Sequence, residues 1–230
     1  MLAAIALPAS CIAICLRGLG RRRAFASTAA RFTFRLCGIR LTTIGIERLP
    51  AGPCIVAANH ASYLDGIILT AALPPRFTFV IKKEMRAVPL IGLLLQRLGS
   101  EFVSRDNPKA ASGAAGRLVR AARAGNAIGV FPEGTFRREP GLREFRLGGF
   151  LAAARGGLPV APVTINGSRR VLPAGEWRLA RGPIDVVIGT PVAPPSANRN
   201  GARLLCESVR DSILKHYSEH DAARSFKIAE

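Results

Sequence analysis

Residues 54–66, CIVAANHASYLDG, change from apolar to titratable side chains within a few positions. The first five residues are uncharged and apolar, which is typical of a strand buried on both faces of a sheet. His60 and Asp65 follow almost at once, and the next segment, GIILTAAL, has the pattern of a helix. A buried strand that ends at titratable side chains predicts chemistry at that strand end.

The same alternation of strand and helix continues along the chain. Further strands are predicted at residues 41–46, 77–81, 102–103, 127–131, 160–165 and 184–188. Helices are predicted from residue 65, and over residues 90–95, 108–123, 148–155 and 202–217. Strands that alternate with helices predict an α/β layered fold with a mostly parallel or mixed central sheet flanked by helices.

Three of the predicted strands end in polar residues that differ from their neighbours. These polar groups are residues 59–60, 104–105 and 132–135. In layered α/β proteins, ligand-binding groups gather where strand ends meet helix starts. We therefore expect the three groups to share one rim of the sheet.

The spacing of His60 and Asp65 restricts how they can meet. On one continuous helix they would lie about 140° apart, because each residue advances the helix by about 100°. They can meet if His60 lies in the turn after the strand and Asp65 in the first turn of the helix. There Asp65 would accept a hydrogen bond from one ring nitrogen and leave the other as a base. A histidine held in a turn and an aspartate that only begins a helix would give the same spacing.

The cysteines and histidines do not form a metal-binding pattern. Five cysteines and three histidines include no CxxC pair and no mixed cluster, so no zinc or other metal site is predicted. The odd number of cysteines suits a reducing compartment. Cys54 lies inside the apolar strand, which predicts an inert, buried thiol.

The charge balance predicts an anionic partner. The chain has 33 Lys and Arg against 15 Asp and Glu, a formal charge of +18, which attracts polyanions. An anionic membrane and nucleic acid are the two usual partners. Only 6% of the residues are aromatic, and no zinc module is present, so nucleic acid is not expected.

The basic residues near the amino terminus follow an apolar run. Residues 2–16, LAAIALPASCIAICL, are shorter than the roughly 20 apolar residues of a spanning helix, and Pro8 interrupts them. Residues 1–40 are therefore predicted to be a membrane-associating helical segment that lies in the interface, with a full span as the alternative, and residues 41–230 the catalytic domain. Arginines after the apolar run, rather than before it, disfavour a secretory signal and favour the cytoplasmic face of the inner membrane.

Four segments in order resemble the conserved blocks of the lysophospholipid (1-acylglycerol-3-phosphate) acyltransferase family: NHASYLD (59–65), GSEFVSR (99–105), VFPEGTF (130–136) and LPVAPV (158–163). FRLGGF, residues 145–150, is similar to a further family segment.

The resemblance implies a role for each matching residue. His60 would be the general base on the acceptor hydroxyl, and Asp65 its orienting partner. Arg105 would bind phosphate, a role that suits its forked guanidinium. Glu133, Gly134 and Thr135 would hold the acceptor's polar head.

The resemblance also implies the reaction and its substrates. Acyl-CoA or acyl-carrier protein would give its acyl group directly to the free hydroxyl of a lysophospholipid, without a covalent acyl-enzyme, metal or cofactor. The expected acceptor is 1-acylglycerol-3-phosphate and the expected product phosphatidic acid.

The sequence departs from the family pattern at two places. The second block has Ser104 at a usually acidic position and Glu101 at an often apolar one. The third block has Phe136 where an arginine commonly follows the threonine, and its basic residues are Arg137 and Arg138. Both places belong to the expected acceptor pocket. A lyso-ornithine lipid or another lysolipid is therefore an alternative acceptor.

A different class of function is also compatible with the charge. A non-catalytic protein that binds anionic membrane or nucleic acid would need the basic residues but not His60. Dependence of acyl transfer on His60, with polyanion binding unchanged, separates the two interpretations.

Overall fold

The centre of the protein is a mixed sheet. The structure, a computed structural model, describes residues 2–104, 116–122 and 124–223. Within these residues seven strands form one sheet in the order β1-β7-β6-β2-β5-β3-β4. The strands are β1 (Leu41–Ile44), β2 (Ile55–Ala58), β3 (Phe77–Lys82), β4 (Glu101–Val103), β5 (Ala127–Val130), β6 (Val160–Asn166) and β7 (Ile184–Ile188).

Helices cover both faces of this sheet. They are α1 (Leu2–Cys15), α2 (Leu19–Leu36), α3 (Asp65–Ala72), α4 (Ile91–Arg97), α5 (116–122), α6 (Gly148–Gly156), α7 (Ser168–Val171) and α8 (Arg199–Leu214). Two short 3₁₀ turns lie at Ile46–Arg48 and Lys83–Ala87. The predicted α/β layered fold is confirmed.

The strand directions place two of the predicted strand ends side by side. Strands β6, β2, β5, β3 and β4 are parallel to one another, whereas β7 is antiparallel to β6 and parallel to β1. Because β2 and β5 are neighbours, the segments that follow Ala58 and Val130 meet at one edge of the sheet. β4 is the last strand of the sheet, and β3 lies between it and β5.

Strand β2 is buried on both faces, as its apolar sequence predicts. Val56 packs in a core with Phe34 of α2 and Ile68 of α3. Ile55, on the opposite face, packs in a second core with Phe150 of α6. Burial of each such side chain is worth roughly 1.5–3 kcal/mol, so the turn after β2 follows a strand that is held by both cores.

Some element boundaries differ from the prediction. Strand β1 ends at Ile44, not at residue 46, because Gly45 has φ +80° and turns the chain. A side chain at Gly45 would overlap the carbonyl oxygen of Ile188. The last helix spans Arg199–Leu214, three residues earlier at each end than predicted. The predicted helix 108–123 is helical at residues 116–122, and its remaining residues lie outside the described ones.

The amino-terminal segment is helical and packs on the rest of the protein. Helix α1 contacts α2 and α4, and α2 contacts α3. Phe34 of α2 is only 1% exposed and belongs to the core. None of the helices among residues 2–104, 116–122 and 124–223 is both long and apolar enough to cross a membrane. The division at residue 40 and the membrane association of residues 1–40 stay predictions.

Candidate active site

His60 and Asp65 meet in the turn between β2 and α3. His60 lies two residues after the strand ends, and Asp65 is the first residue of the helix. The Nδ1 atom of His60 lies 2.8 Å from Oδ2 of Asp65. The contact expected from the spacing is therefore present, in the turn geometry that the sequence required.

The Asp65 carboxylate organises the whole turn. Its Oδ2 atom also accepts hydrogen bonds from the backbone N–H groups of Ala61, at 2.7 Å, and Ser62, at 2.8 Å. Asp65 is fully buried, and its Oδ1 atom has no hydrogen-bond partner in the part of the chain that the structure describes. A buried acceptor facing Nδ1 favours the tautomer with the proton on Nδ1, which leaves Nε2 of His60 as a proton acceptor.

Two phenylalanines flank the imidazole of His60. The Phe131 ring stacks on it, with centroids 4.2 Å apart, and the Phe136 ring meets it edge-on at 4.6 Å. The His60 side chain is 18% exposed, so one edge of the ring remains open to a substrate. The Phe131 ring covers one face of the imidazole, and contact with both rings restricts its orientation.

Glu133 lies behind His60 and is directed away from solvent. Its Oε1 atom accepts from the backbone N–H of His60 at 2.6 Å, and its Oε2 from that of Arg143 at 3.0 Å. Burial raises the pKa of Glu133 to about 7, and these two hydrogen bonds oppose the shift. In this structure the carboxyl group therefore joins the backbone of the His60 turn to that of the loop after β5.

The raised pKa of Glu133 predicts a pH dependence of stability. The ordinary pKa of this carboxyl is about 4.5 and the folded one is about 7, so the native state binds more protons than the unfolded state between these values. The free energy of unfolding should therefore fall as pH rises from 4.5 to 7, by as much as about 3 kcal/mol. Urea unfolding across this range tests it, and Glu133→Gln should remove the dependence. The exposed Glu144→Gln is the control, and equal slopes in wild type and Glu133→Gln would contradict the prediction.

Gly134 and Thr135 occupy different environments from Glu133. Gly134 has φ +83°, a backbone conformation that favours glycine, and a Cβ atom there would lie 2.8 Å from Nε of Arg146, so that side chain would have to move. Thr135 is exposed and lines a cleft next to the His60 turn. Of the three residues predicted in this block, Thr135 is the one whose side chain faces that cleft.

Asn59 fixes the end of β2 to β6. Its Nδ2 atom donates to the carbonyl of Ile165 at 2.9 Å, and its Oδ1 accepts from the N–H of Ile165 at 2.6 Å. The side chain is fully buried. This amide therefore holds the residue before His60 in place.

Asn59→Ala should lower the free energy of unfolding by about 2 kcal/mol or more, because each buried group left unpaired costs roughly 1–3 kcal/mol. Chemical denaturation measures the loss. Asn166→Ala, which removes solvent-exposed hydrogen bonds of a half-buried asparagine to His216 and Ser218, should cost less and is the control. Equal losses of unfolding free energy in the two variants would contradict a special role of the Asn59 side chain in fixing β2 to β6.

A cleft of about 520 Å³ lies beside this site. It is lined by Tyr63, Thr135, Phe136, Arg137, Arg138, Glu139, Ala174 and Gly175. Tyr63, which lines this cleft, and Phe131, which stacks on His60, had no role assigned from the sequence. Their positions in the sequence could have indicated a place near the site, because Tyr63 lies in the block that contains His60 and Phe131 lies in the block that contains Glu133.

The third predicted strand end lies at the same edge of the sheet, because β4 is parallel to β3, β5 and β2, but β3 separates β4 from β5. Ser104 follows edge strand β4, and Arg105, the predicted phosphate partner, lies outside the described residues. Glu101 faces Arg117, with Nε of the arginine and Oε2 of the glutamate 3.9 Å apart.

Cys54 is fully buried, as predicted, and burial raises the pKa of its thiol. No group of three His, Cys, Asp or Glu side chains within the described ranges is arranged to hold a metal ion.

Comparison with known families and proteins identifies relatives of this chain. The family model described as Acyltransferase matches residues 40–166. The chain is 31% identical over 174 residues to a chloroplastic 1-acyl-sn-glycerol-3-phosphate acyltransferase of Brassica napus. The matched region covers 74% of this chain and 49% of that protein. It is 31% identical over 179 residues to a 1-acyl-sn-glycerol-3-phosphate acyltransferase of Pseudomonas aeruginosa, covering 75% and 65%. The chain spans about half the length of the plant relatives it matches.

A solved structure shares the fold. The crystal structure of the 1-acyl-sn-glycerophosphate (LPA) acyltransferase PlsC from Thermotoga maritima superposes with a TM-score of 0.71 and 24% identity, covering 89% of this chain and 85% of that one.

Proposed function

The chain belongs to the acyltransferase family, and from this membership we propose that it transfers a fatty acyl group to the free hydroxyl of a lysophospholipid. The proposed acceptor is 1-acylglycerol-3-phosphate, which gives phosphatidic acid, and the donor is acyl-CoA or acyl-carrier protein. The observation that carries the proposal is the 2.8 Å contact between Nδ1 of His60 and buried Asp65, which leaves Nε2 available as a base. The Brassica napus and Pseudomonas aeruginosa relatives are 1-acyl-sn-glycerol-3-phosphate acyltransferases, which supports the choice of acceptor.

The proposed reaction needs one base and no covalent acyl-enzyme. Nε2 of His60 takes the proton of the acceptor hydroxyl while the hydroxyl oxygen attacks the carbonyl carbon of the donor's thioester. Asp65 stabilises the imidazolium that forms. The tetrahedral intermediate expels the thiolate, which takes the proton from His60, so the products are the ester and the free thiol. The donor is a co-substrate, and no metal or other cofactor is proposed.

Positioning of the acceptor is assigned to residues around the base. We propose that Thr135, with the backbone at Gly134, contacts the polar head, and that Arg105 binds phosphate. Glu133 contributes indirectly, because its two hydrogen bonds set the distance between the His60 turn and the loop that follows β5.

The proposed location is an anionic membrane, at the cytoplasmic face of the inner membrane. Leu7 and Ile12 of α1 and Phe32 of α2 are large apolar side chains that are about half exposed. Helix α2 also carries a cluster of basic residues, which favours an anionic lipid surface. A lysolipid acceptor could then reach the site from the bilayer.

Acceptor-dependent release of thiol from palmitoyl-CoA tests the proposed function. Purified protein should release thiol with lysophosphatidic acid but not without it, and mass spectrometry should identify phosphatidic acid. A parallel reaction uses a lyso-ornithine lipid, because Phe136 replaces the arginine common in the family. Acyl-carrier protein replaces CoA in a second series. Equal thiol release with and without an acceptor, for both donors, would refute acyl transfer to a lysolipid.

A further inference from the structure

We propose that the loop between α7 and β7, residues 172–183, is a membrane-contact element separate from the amino-terminal helices, and that Trp177 is its anchor in an anionic lipid surface. The inference rests on the membrane location proposed above. It adds a surface outside residues 1–40 that faces the lipid.

Trp177 exposes a large aromatic ring to solvent. It is the single tryptophan of the chain and is 96% exposed, although aromatic side chains usually bury about 150–250 Å² each. Indole rings concentrate at the head-group level of membranes, where the ring meets apolar groups and its N–H meets water or a polar head group. An indole so exposed therefore fits a lipid interface better than bulk water.

The fold holds the loop in the conformation that exposes this ring. The N–H of Ala180 donates to the carbonyl of Val171 at 2.8 Å, and that of Glu176 donates to the carbonyl of Pro173 at 3.2 Å. Leu179 packs against the core on the face of the sheet that α2 and α3 cover. The backbone is therefore tied on both sides of the indole, and the exposure of the ring is built into the fold.

The loop lies at the edge of the sheet that carries His60. The side chain of Asn59, next to His60, is bonded to the end of β6. Strand β7 begins beside that end, because it is antiparallel to β6 and Asn166 pairs with Asp185. Residues 174–175 of the loop also line the cleft next to the His60 turn. A membrane that holds the indole would therefore lie on the side from which a lysolipid can reach His60.

Basic side chains accompany the indole. Arg178 and Arg181 are exposed within the loop, and Glu176 is its single acidic residue. Arg181 also lies against Gly38, where a Cβ atom would be 3.5 Å from the arginine Nε. Because Gly38 follows α2 closely, the cations of the loop adjoin the basic end of that helix.

A groove of about 520 Å³ at the end of α2 continues this basic surface. Its cationic lining comes from Arg31, Arg35 and Arg40, and its apolar lining includes Phe34, Ile39 and Leu41. Cations beside apolar side chains complement the phosphates and glyceryl carbons of an anionic phospholipid. One indole with such a groove favours lipid over single-stranded nucleic acid, which binds to platforms of several stacking aromatic rings.

Fluorescence of the single tryptophan tests the assignment in the full chain. Vesicles that contain phosphatidylglycerol should shift the emission of Trp177 to shorter wavelength, and the same vesicles with brominated acyl chains should quench it. Bromine quenches only at short range, so quenching reports a ring that has entered the lipid. Pure phosphatidylcholine vesicles should have a smaller effect. Emission that brominated anionic vesicles leave unchanged would overturn the proposal, even if the protein sediments with them.

A relocated tryptophan is the matched control. The double variant Trp177→Phe/Leu204→Trp moves the fluorophore to α8, where Leu204 is also a large exposed apolar side chain. Helix α8 packs on the face of the sheet opposite to α2. Brominated lipid should leave the emission of this variant unchanged. Equal quenching at the two positions would show adsorption without a preferred surface and would refute the loop as the contact.

Sedimentation with anionic vesicles measures the contribution of the loop arginines. Arg178→Gln/Arg181→Gln should weaken vesicle binding roughly 25-fold, because each basic residue near an anionic lipid surface contributes about fivefold. Trp177→Ala should weaken it as well. Arg155→Gln/Arg199→Gln removes the same charge from exposed positions of α6 and α8 and should have a smaller effect. Equal losses in the two double variants would contradict a specific role of the loop.

Failure of this inference and failure of the proposed function are distinguishable, because the fluorescence measurement needs neither donor nor acceptor. Acyl transfer without quenching of Trp177 would refute the loop as a membrane contact and leave the proposed function standing. Quenching without acyl transfer would support the loop and refute the proposed function. A response to single-stranded DNA but not to vesicles would assign the surface to nucleic acid and overturn the proposal.

Discussion

His60→Ala is expected to lower kcat for acyl transfer roughly 10²–10⁴-fold, the contribution of a positioned general base. No other described histidine lies in this turn, since His216 and His220 follow α8. The KM values should change little, because the imidazole accepts the proton of the acceptor hydroxyl during the chemical step and is not assigned to substrate binding. Thiol release with saturating palmitoyl-CoA and lysophosphatidic acid measures the effect.

The control for this prediction is His216→Ala, which removes an exposed histidine. It should retain wild-type kcat. Both variants should also bind vesicles that contain anionic lipid as well as wild type does, because their net charge at neutral pH is unchanged. If vesicle binding disappears together with activity in His60→Ala, the loss of activity would no longer be evidence that His60 acts as the base.

Asp65→Asn is expected to lower kcat by up to about 10⁴-fold, although the side chain keeps its shape. The amide can still accept from the backbone N–H groups of Ala61 and Ser62, but it no longer supplies the negative charge beside Nδ1 of His60. The imidazolium formed during proton transfer then loses its stabilising partner. Single-turnover rates with bound acceptor measure this step.

A double variant tests whether the two residues act as one unit. His60→Ala/Asp65→Asn should be no slower than His60→Ala alone, because a carboxylate that works through the histidine has nothing left to orient. Circular dichroism should show that all three variants are folded, and Asp211→Asn, at an exposed position of α8, should be as active as wild type. A further loss in the double variant would mean that Asp65 has a role independent of His60.

Local sequence patterns predicted most of the fold. The apolar run of β2 is buried on both faces, and the His60–Asp65 contact requires only that one residue lie in the turn and the other at the helix start. Both features depend on neighbours within about a dozen positions. The amino-terminal segment was predicted as one helical unit, but it forms two helices, and the second, α2, packs Phe34 into the core.

The position of Glu133 was not predictable from its own segment. PEGT after a strand indicates a turn, and the family resemblance implied contact with the acceptor. The structure instead directs the carboxyl to the backbone N–H groups of His60 and Arg143. This placement depends on β5 lying next to β2, and strand order is a non-local property that neither strand encodes alone.

The sequence by itself determined the strand–helix unit, the pairing of His60 with Asp65 and the basic character of the chain, because periodicity, spacing and charge are local or additive. Only the tertiary structure decided which loops meet. It placed Phe131 and Phe136 against the ring of His60, and it connected Arg169 to the Arg137–Arg138 backbone and to Glu219. These contacts join residues 31 to 76 positions apart, and their stability comes from packing and hydrogen bonds that exist only after the sheet has assembled.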